Sequence, residues 1–330
     1  WNGKKWLEQF LPSVMASTYP SFEVLVADNG STDDSLTFLA AHFPAVRTLA
    51  FPENYGFAEG NNRALPHIDS PYVALLNNDA GVHPGWLEPL VAAMEADPQL
   101  AVVQPKLLAQ QNPDFFEYAG AAGGYVDRYY YPFCRGRIFD IVERDEGQYD
   151  APAEIFWATG ACCLLRKSVI DEIGLFEPAF FAHMEEIDFC WRAKNYGYHI
   201  LCVPESVAYH VGGGSLPQGN PRKTFLNVRN SLAMMYLNLP VRQQFSRVFM
   251  RMVLDGIWGI KSLLSGDLAT IGAIFRAHIA FYSKLGYWTR CRRERYAGRA
   301  PRAQVTGYFP GSIVWQYFVR GVKDWRALRL

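Results

Sequence analysis

Through the first two thirds of the chain, short apolar runs alternate with amphipathic stretches, and the spacing predicts elements. Residues 23–27 (EVLVA) read as a strand ending at Asp28, 32–43 as a helix, 46–51 as a second strand and 57–65 as a helix. A third strand follows at 72–76 (YVALL), then a helix at 84–96 and a fourth strand at 100–105. Strands separated by helices of this length imply right-handed crossovers, hence an α/β fold whose mainly parallel central sheet carries helices on both faces. Ligands collect at the carboxyl ends of the strands in such sheets. Acids stand at two of those ends, Asp28 and Asp79. The opening residues WNGKKWLEQFLPSV read as a loop entering a helix with no strand ahead of them, which places them just after a truncated first strand.

From 110 to 150 the pattern breaks into Gly, Tyr and charged residues and reads as a long excursion over the cleft. Order returns at 155–166, with helices at 167–173 and 184–196 and strands at 199–203 and 207–211. After Arg222 only helices are expected. Phe245, Val248, Phe249, Met252, Val253, Ile257, Ile260 and Leu264 recur on one helical face. That stripe is either core or the underside of a helix lying in a membrane interface, with Arg242, Arg247, Arg251 and Lys261 towards head groups. The basic cluster Arg290, Arg292, Arg293, Arg295, Arg299 and Arg302 would serve the second reading, or form a solvated face. The expected division is 1–235 for the sheet-bearing unit and 236–330 for a helical region.

Half of the 330 residues are apolar and 19% are charged, enough for one large core and a smaller appendage. The 32 basic and 32 acidic residues cancel, so no global field gathers nucleic acid and any charge that matters is local. Six cysteines without a C-x-x-C pair, and no secretory signal, favour a reduced cytoplasmic protein. Arg251, Asp255, Lys261, Asp267 and Arg276 interrupt the apolar stretches before any reaches the roughly 18 residues of a spanning helix.

Candidate chemistry sits at the strand ends. Asn77-Asn78-Asp79 leaves a strand directly, so its oxygens would emerge with fixed geometry and suit a hard divalent cation; the same residues are ordinary turn formers. Asp28 opens the run DNGSTDDS, where it could accept from an N–H of a nucleobase or close a plain strand-turn-helix connection, with Ser31 or Thr32 near an N-cap. ENYGFAEGNN is dense in small and amide residues that allow close backbone approach to a polar ligand. HMEEIDFCWR places Glu185, Glu186 and Asp188 at a helix start, where the dipole would help keep them ionised and an ionised carboxylate facing a cleft can act as a general base. Asp188 and Arg192, four apart, would form a surface bridge. His210 closes a strand ahead of Gly212, Gly213 and Gly214 and is either structural or a metal ligand.

Taken in order, DNGSTDDS, ENYGFAEGNN, LLNNDA, FWATGACCLLRKSVIDEIGLFEP, HMEEIDFCWR, the terminal YH and the Arg229-Asn230 pair resemble the inverting family 2 glycosyltransferases of the GT-A fold. The resemblance is to the rhamnosyltransferase-like branch that builds bacterial surface polysaccharides. It implies that Asp28 reads the donor base, that Asn54, Gly56 and Asn62 line the nucleotide pocket, and that Asn77, Asn78 and Arg229 also touch the donor. Asp79 matches the last acid of the family's D-x-D metal motif, whose first acid is here Asn77, and His210 matches a further metal contact. Glu186 falls where the family usually has an aspartate as base, with Glu185 and Asp188 as reserves, and Trp157, Thr159 and Gly160 would lie near acceptor and sugar.

The resemblance therefore implies a UDP- or dTDP-sugar donor, a glycan or lipid-linked acceptor, and Mg²⁺ or Mn²⁺; the cysteine usage adds a cytoplasmic location, with peripheral contact to the membrane as the alternative reading of the C-terminal stripe. A nucleotidyltransferase would want a richer phosphate loop than the Gly3-Lys4-Lys5 present here, and a silent sugar- or lipid-binding scaffold would leave Asn77 and Glu186 as remnants.

Overall fold

The computed structural model describes residues 1–212, 219–302 and 305–328. The chain opens with α1 (Lys4–Met15), β1 (Leu25–Asp28), α2 (Ser35–His42), β2 (Arg47–Ala50), α3 (Gly56–Ala64), β3 (Tyr72–Leu76), β4 (Ala80–Val82), α4 (Leu87–Ala96) and β5 (Leu100–Ala109). The stretch expected as an excursion carries five short strands joined by turns: β6 (Asn112–Phe116), then β7 (Gly124–Val126), β8 (Pro132–Cys134), β9 (Arg137–Ile138) and β10 (Ile141–Val142), the last four in a small antiparallel sheet of their own. Next come β11 (Ala153–Glu154), β12 (Cys162–Arg166), α5 (Lys167–Ile173), α6 (Glu185–Tyr196) and β13 (His199–His210). The two strands expected at 199–211 are this single one, with a bulge between Val203 and Val207. Helices α7 (Pro221–Asn238), α8 (Val241–Leu264), α9 (Leu268–Ser283), α10 (Leu285–Arg295) and α11 (Ile313–Phe318) close the fold.

The central sheet runs β11-β13-β5-β12-β3, with β4 on β13 and β6 on β5. β3, β5 and β13 share one direction and β12 is inserted antiparallel between β5 and β3. Covered on both faces, β5 is buried along nearly its whole length, so its apolar run shows no alternation. Gln104 in its middle is fully buried. Its Oε1 accepts from the Thr159 amide at 2.9 Å and its amide nitrogen donates to the Gly120 carbonyl, so one side chain in the core fixes two loops at the sheet edge.

β1 and β2 form a separate parallel pair. A groove of about 620 Å³ separates β1 from β3, lined by Leu25, Val26 and Ala27 on one side, Val73 and Leu75 on the other, and Leu7 and Phe10 of α1. Both facing edges lack a strand partner among the described residues.

α7 runs straight through the division expected at 235, and its continuation is wired to α6. Asp188 and Arg192 were expected as a surface bridge; both are buried, 3.7 Å apart. Arg192 spends its guanidinium on the carbonyls of Ile173, Gly174 and Leu175, while Asp188 is held by Arg295 of α10 at 2.9 and 3.0 Å and by the Asn238 amide. Arg295 also meets Glu177 at 2.8 Å. Of the basic cluster, then, Arg295 is a buried counter-ion, and Arg292 caps α7 through the carbonyls of Tyr236, Leu237 and Leu239. Arg290 and Arg293 remain exposed.

Removing one partner from a buried ion pair leaves an uncompensated charge, which typically costs about 3–5 kcal/mol. Arg295→Ala should therefore lower unfolding free energy by about that much in urea denaturation, and a loss below about 1 kcal/mol would show that Asp188 and Glu177 find water instead.

Candidate active site

Three strand ends carry the polar side chains, and loops with little freedom hold them. At the end of β1 the carboxylate of Asp28 is turned back on its own loop, accepting from the Ser31 amide at 2.9 Å and from the Ser31 hydroxyl. Ser31 and Thr32 are thus held by Asp28 and Asn2 rather than capping α2, whose first turn follows Asp34. Asn29, which no sequence argument singled out, donates to the Gly56 carbonyl at 2.8 Å and accepts from the Tyr55 amide at 3.0 Å. It joins the two loops expected to hold nucleotide. Asn54 closes the second loop by accepting from the Gly56 amide at 2.8 Å. Gly56 has φ +79°, and a Cβ there would sit 2.4 Å from the Phe181 carbonyl oxygen, so only glycine lets this loop touch the turn before α6.

Asn62 lies elsewhere. Its amide both donates to and accepts from the backbone of Phe176 at 3.0 Å, which leaves it pinning a distant loop instead of lining a pocket.

At the end of β3, the Asn77 amide N–H is held by the Ala161 carbonyl and the Asn78 side chain lies against Gly3. Asp79 reaches across to β13: its Oδ1 is 3.1 Å from His210 Nε2, and Asn77 Nδ2 is 3.4 Å from the same nitrogen. Behind the ring, Glu117 Oε1 lies 3.2 Å from Nδ1, close but off the line of the ring N–H. All three of Asp79, His210 and Glu117 are buried. Burial alone would push the imidazole down; the hydrogen bond to Asp79 and the Glu117 carboxylate facing the other nitrogen outweigh it and push His210 up to about 10. Beside it opens a cavity of about 610 Å³, lined by Glu117, Tyr118, His210, Gly212 and Lys223. Gly213 and Gly214 lie outside the described residues.

The donor set at β3 and β13 suits a hard or borderline cation: one carboxylate, one imidazole whose far nitrogen faces a carboxylate, and a neutral amide. No group of three His, Cys, Asp or Glu side chains that could hold a metal occurs among the described residues. A cation here would leave positions open for the oxygens of a ligand.

The third component is the start of α6. Phe181, His183 and Met184 all have positive φ, at +66°, +71° and +74°, a conformation that costs each of them of order 1–3 kcal/mol. The Asn230 side chain on α7 holds them there, donating to the carbonyls of Phe180, Ala182 and His183 at 3.0, 3.0 and 2.7 Å. Arg229 orients that amide at 2.9 Å and grips the Ala179 and Phe180 carbonyls itself. Arg229 therefore braces the turn, where the resemblance had put it on the donor.

What the turn presents is Glu185 and Glu186. Glu185 is buried; Glu186 is partly exposed, although its Oε2 is not. One carboxylate oxygen of each, and His183 Nε2, are buried without a hydrogen-bond partner among the described residues. Three such atoms within four residues mark a place where a ligand completes the polar pairing. Contrary to the expectation from the helix dipole, both acids are pushed up. Burial dominates for each; Glu185, repelled also by Glu186, rises well above the carboxylate range, and Glu186 rises to about 7 despite the backbone N–H groups that favour its charge. His183 is driven down to about 4 by burial and by Lys223, so it is neutral.

The remaining expected residues are buried among their own neighbours. Trp157 is buried with its ring against Gly124 and its Nε1 on the Tyr125 carbonyl. Thr159 is fixed by Gln104 and accepts from the Ala161 amide, and Gly160 packs on the Phe57 ring. Asp188, taken above as a reserve base, is consumed by Arg295.

The profile of the family described as Glycosyl transferase family 2 matches residues 1–174. The chain belongs to that family. This family 2 glycosyltransferase is 27% identical over 222 residues to the N-acetylglucosaminyl-diphospho-decaprenol L-rhamnosyltransferase of Mycobacterium tuberculosis, covering 62% of this chain and 71% of that protein. It is 26% identical over 215 residues to the O-antigen biosynthesis protein RfbC of Myxococcus xanthus, covering 62% of this chain but 16% of that one. In fold it is similar to GalNAc-T7, whose crystal structure was solved with UDP, GalNAc and Mn²⁺, with a TM-score of 0.55 at 16% identity over 70% of this chain and 45% of that chain. The fold is GT-A and the chain is a glycosyltransferase.

The strained turn gives a direct check on the site's support. Asn230→Ala leaves the Ala182 and His183 carbonyls without this donor and the Phe180 carbonyl with Arg229 and the Ala182 amide, and should cost about 2–3 kcal/mol in denaturant unfolding, with faster amide exchange over 180–187. Unchanged exchange in that segment would mean the turn is held by something else.

Proposed function

We propose that this glycosyltransferase moves a sugar, with inversion, from a UDP- or dTDP-sugar to a hydroxyl of a glycan or lipid-linked acceptor in cell-surface polysaccharide synthesis, working in the cytoplasm at the membrane. Glu186 carries the reading: a carboxylate with a buried, unpaired oxygen and an affinity for protons matched to neutral pH is what a general base for a hydroxyl requires. The decaprenol-linked substrate named for the mycobacterial relative supports a lipid-linked acceptor, and the Mn²⁺ in the GalNAc-T7 structure supports a divalent cation.

Asp28 and the loop of Asn54 and Gly56 would seat the nucleotide, and Asn77 and Asn78 the next part of the donor. Asp79 and His210 would hold Mg²⁺ or Mn²⁺, which when bound neutralises charge on the diphosphate leaving group. Glu186 takes the proton of the acceptor hydroxyl as the oxygen bonds to the anomeric carbon. The bond from that carbon to the diphosphate oxygen breaks on the opposite side, and its electron pair leaves with the nucleoside diphosphate. Glu185 keeps its own proton, so it can donate a hydrogen bond to the reacting sugars without repelling the charge on Glu186. Trp157, Thr159 and Gly160 would shape the wall on that side.

Because Glu186 must be ionised to accept a proton, transfer should fall tenfold for each pH unit below about 7 and level off above it. Glu186→Gln should keep donor binding, read by thermal shift with UDP- or dTDP-sugar and Mn²⁺, and lose transfer by about a factor of 10²–10⁴ in a radiolabelled-donor assay. Unchanged turnover in that variant would sink the assignment.

A further inference from the structure

Helix α8 is built inside out. Its inward face carries Arg251, Asp255 and Ser262, all buried, and Asp255 is matched by Arg251, His278 and the Tyr131 hydroxyl. Its outward face carries Phe245, Phe249, Val253, Ile257, Ile260 and Leu264, recurring at three- and four-residue intervals along about 29 Å of helix and 39–84% exposed. The stripe that could have been core is therefore mostly on the surface; of its members Val248 is buried. α9 and α11 add Phe275 and Phe318 to the exposed apolar residues, and Lys261 stands 4.9 Å over the Phe318 ring. An exposed apolar surface of this extent marks an interaction site.

Charge selects the partner. Between 241 and 295 the exposed charges are Arg242, Lys261, Arg276, Lys284, Arg290 and Arg293 against Asp267 and Glu294, in a chain whose net charge is zero. Two copies meeting through this face would bring like charges together, whereas an anionic bilayer offers an apolar interior beneath a negative surface. No helix among the described residues is long and apolar enough to cross a membrane. We infer that α8, with the exposed sides of α9 and α11, docks flat on a bilayer containing anionic lipid, its Phe and Ile side chains in the acyl boundary and Arg242, Lys261 and Arg276 among the head groups. Arg247 and Arg251 also hold the carbonyls of Arg128, Tyr129 and Tyr130, so the same helix would carry the turn at 128–130 to the lipid surface.

This deepens the proposed membrane-side role and rests on it only for its purpose; the test reads binding and not transfer, so either can fail alone. The whole chain is floated with vesicles of phosphatidylcholine, with and without phosphatidylglycerol. Recovery with the anionic vesicles, reduced by salt and at least about tenfold by the combined Phe249→Glu, Ile257→Glu and Leu264→Glu substitutions with an unchanged melting midpoint, is the expected result. Absence of flotation with both vesicles overturns the inference, as does flotation that the triple variant leaves intact. Dimerisation abolished by those substitutions, in place of vesicle binding, would assign the face to a second copy and overturn it equally.

Discussion

The site depends on one amide. Left to itself, the backbone from Phe181 to Met184 would not place three L-residues at positive φ, and the Asn230 side chain is what holds it there, with Arg229 locking that side chain in position. Everything that makes Glu186 chemically useful follows from that turn. It turns two neighbouring carboxylates toward protein, buries one oxygen of each and leaves that oxygen unpaired. The same turn touches Gly56 through the Phe181 carbonyl, so the loop of Asn54 and Gly56 and the two carboxylates are set by a common piece of backbone.

At α6 two effects oppose one another and their balance decides the chemistry. Free backbone N–H groups at a helix start favour charge by roughly 0.3–1 kcal/mol at exposed positions. Burial of a carboxylate next to a second one disfavours it by considerably more, and burial wins. At β13 the balance is reversed. His210 is buried as well, but Asp79 and Glu117 face its two nitrogens and raise its affinity for a proton, which a cation bound at Nε2 would have to displace.

The parts of this arrangement that could be read in the sequence are those encoded locally. The runs EVLVA and YVALL, with acids just past their ends, place Asp28 and Asp79 at strand ends because strand and terminus are adjacent in the chain. Glu117 has no such mark: it comes from a stretch without periodicity and meets His210 only through the pairing of β13 with β5. Asn62, Arg229 and Asp188 were legible as polar and important, but not as scaffolding, because a motif does not say whether an amide or guanidinium faces a ligand or a carbonyl of its own chain. The periodicity of α8 likewise defined a face without saying which way it looked, since Arg251 and Asp255 could be buried only by satisfying each other.

The gap between β1 and β3 bears on how the molecule softens. No ladder hydrogen bonds cross it among the described residues, so the two-stranded lobe meets the main sheet through the packing of α1 and α3 and through loop hydrogen bonds such as those of Asn2 with Thr32 and Asn29 with Gly56. Regions held by few backbone bonds open at lower free energy than the core. Asp28 and Asn29 stand on that lobe, and any ligand seated there gives up part of its binding energy to quieten it. A ligand bridging this lobe and the main sheet would tie together two pieces that share no ladder hydrogen bond.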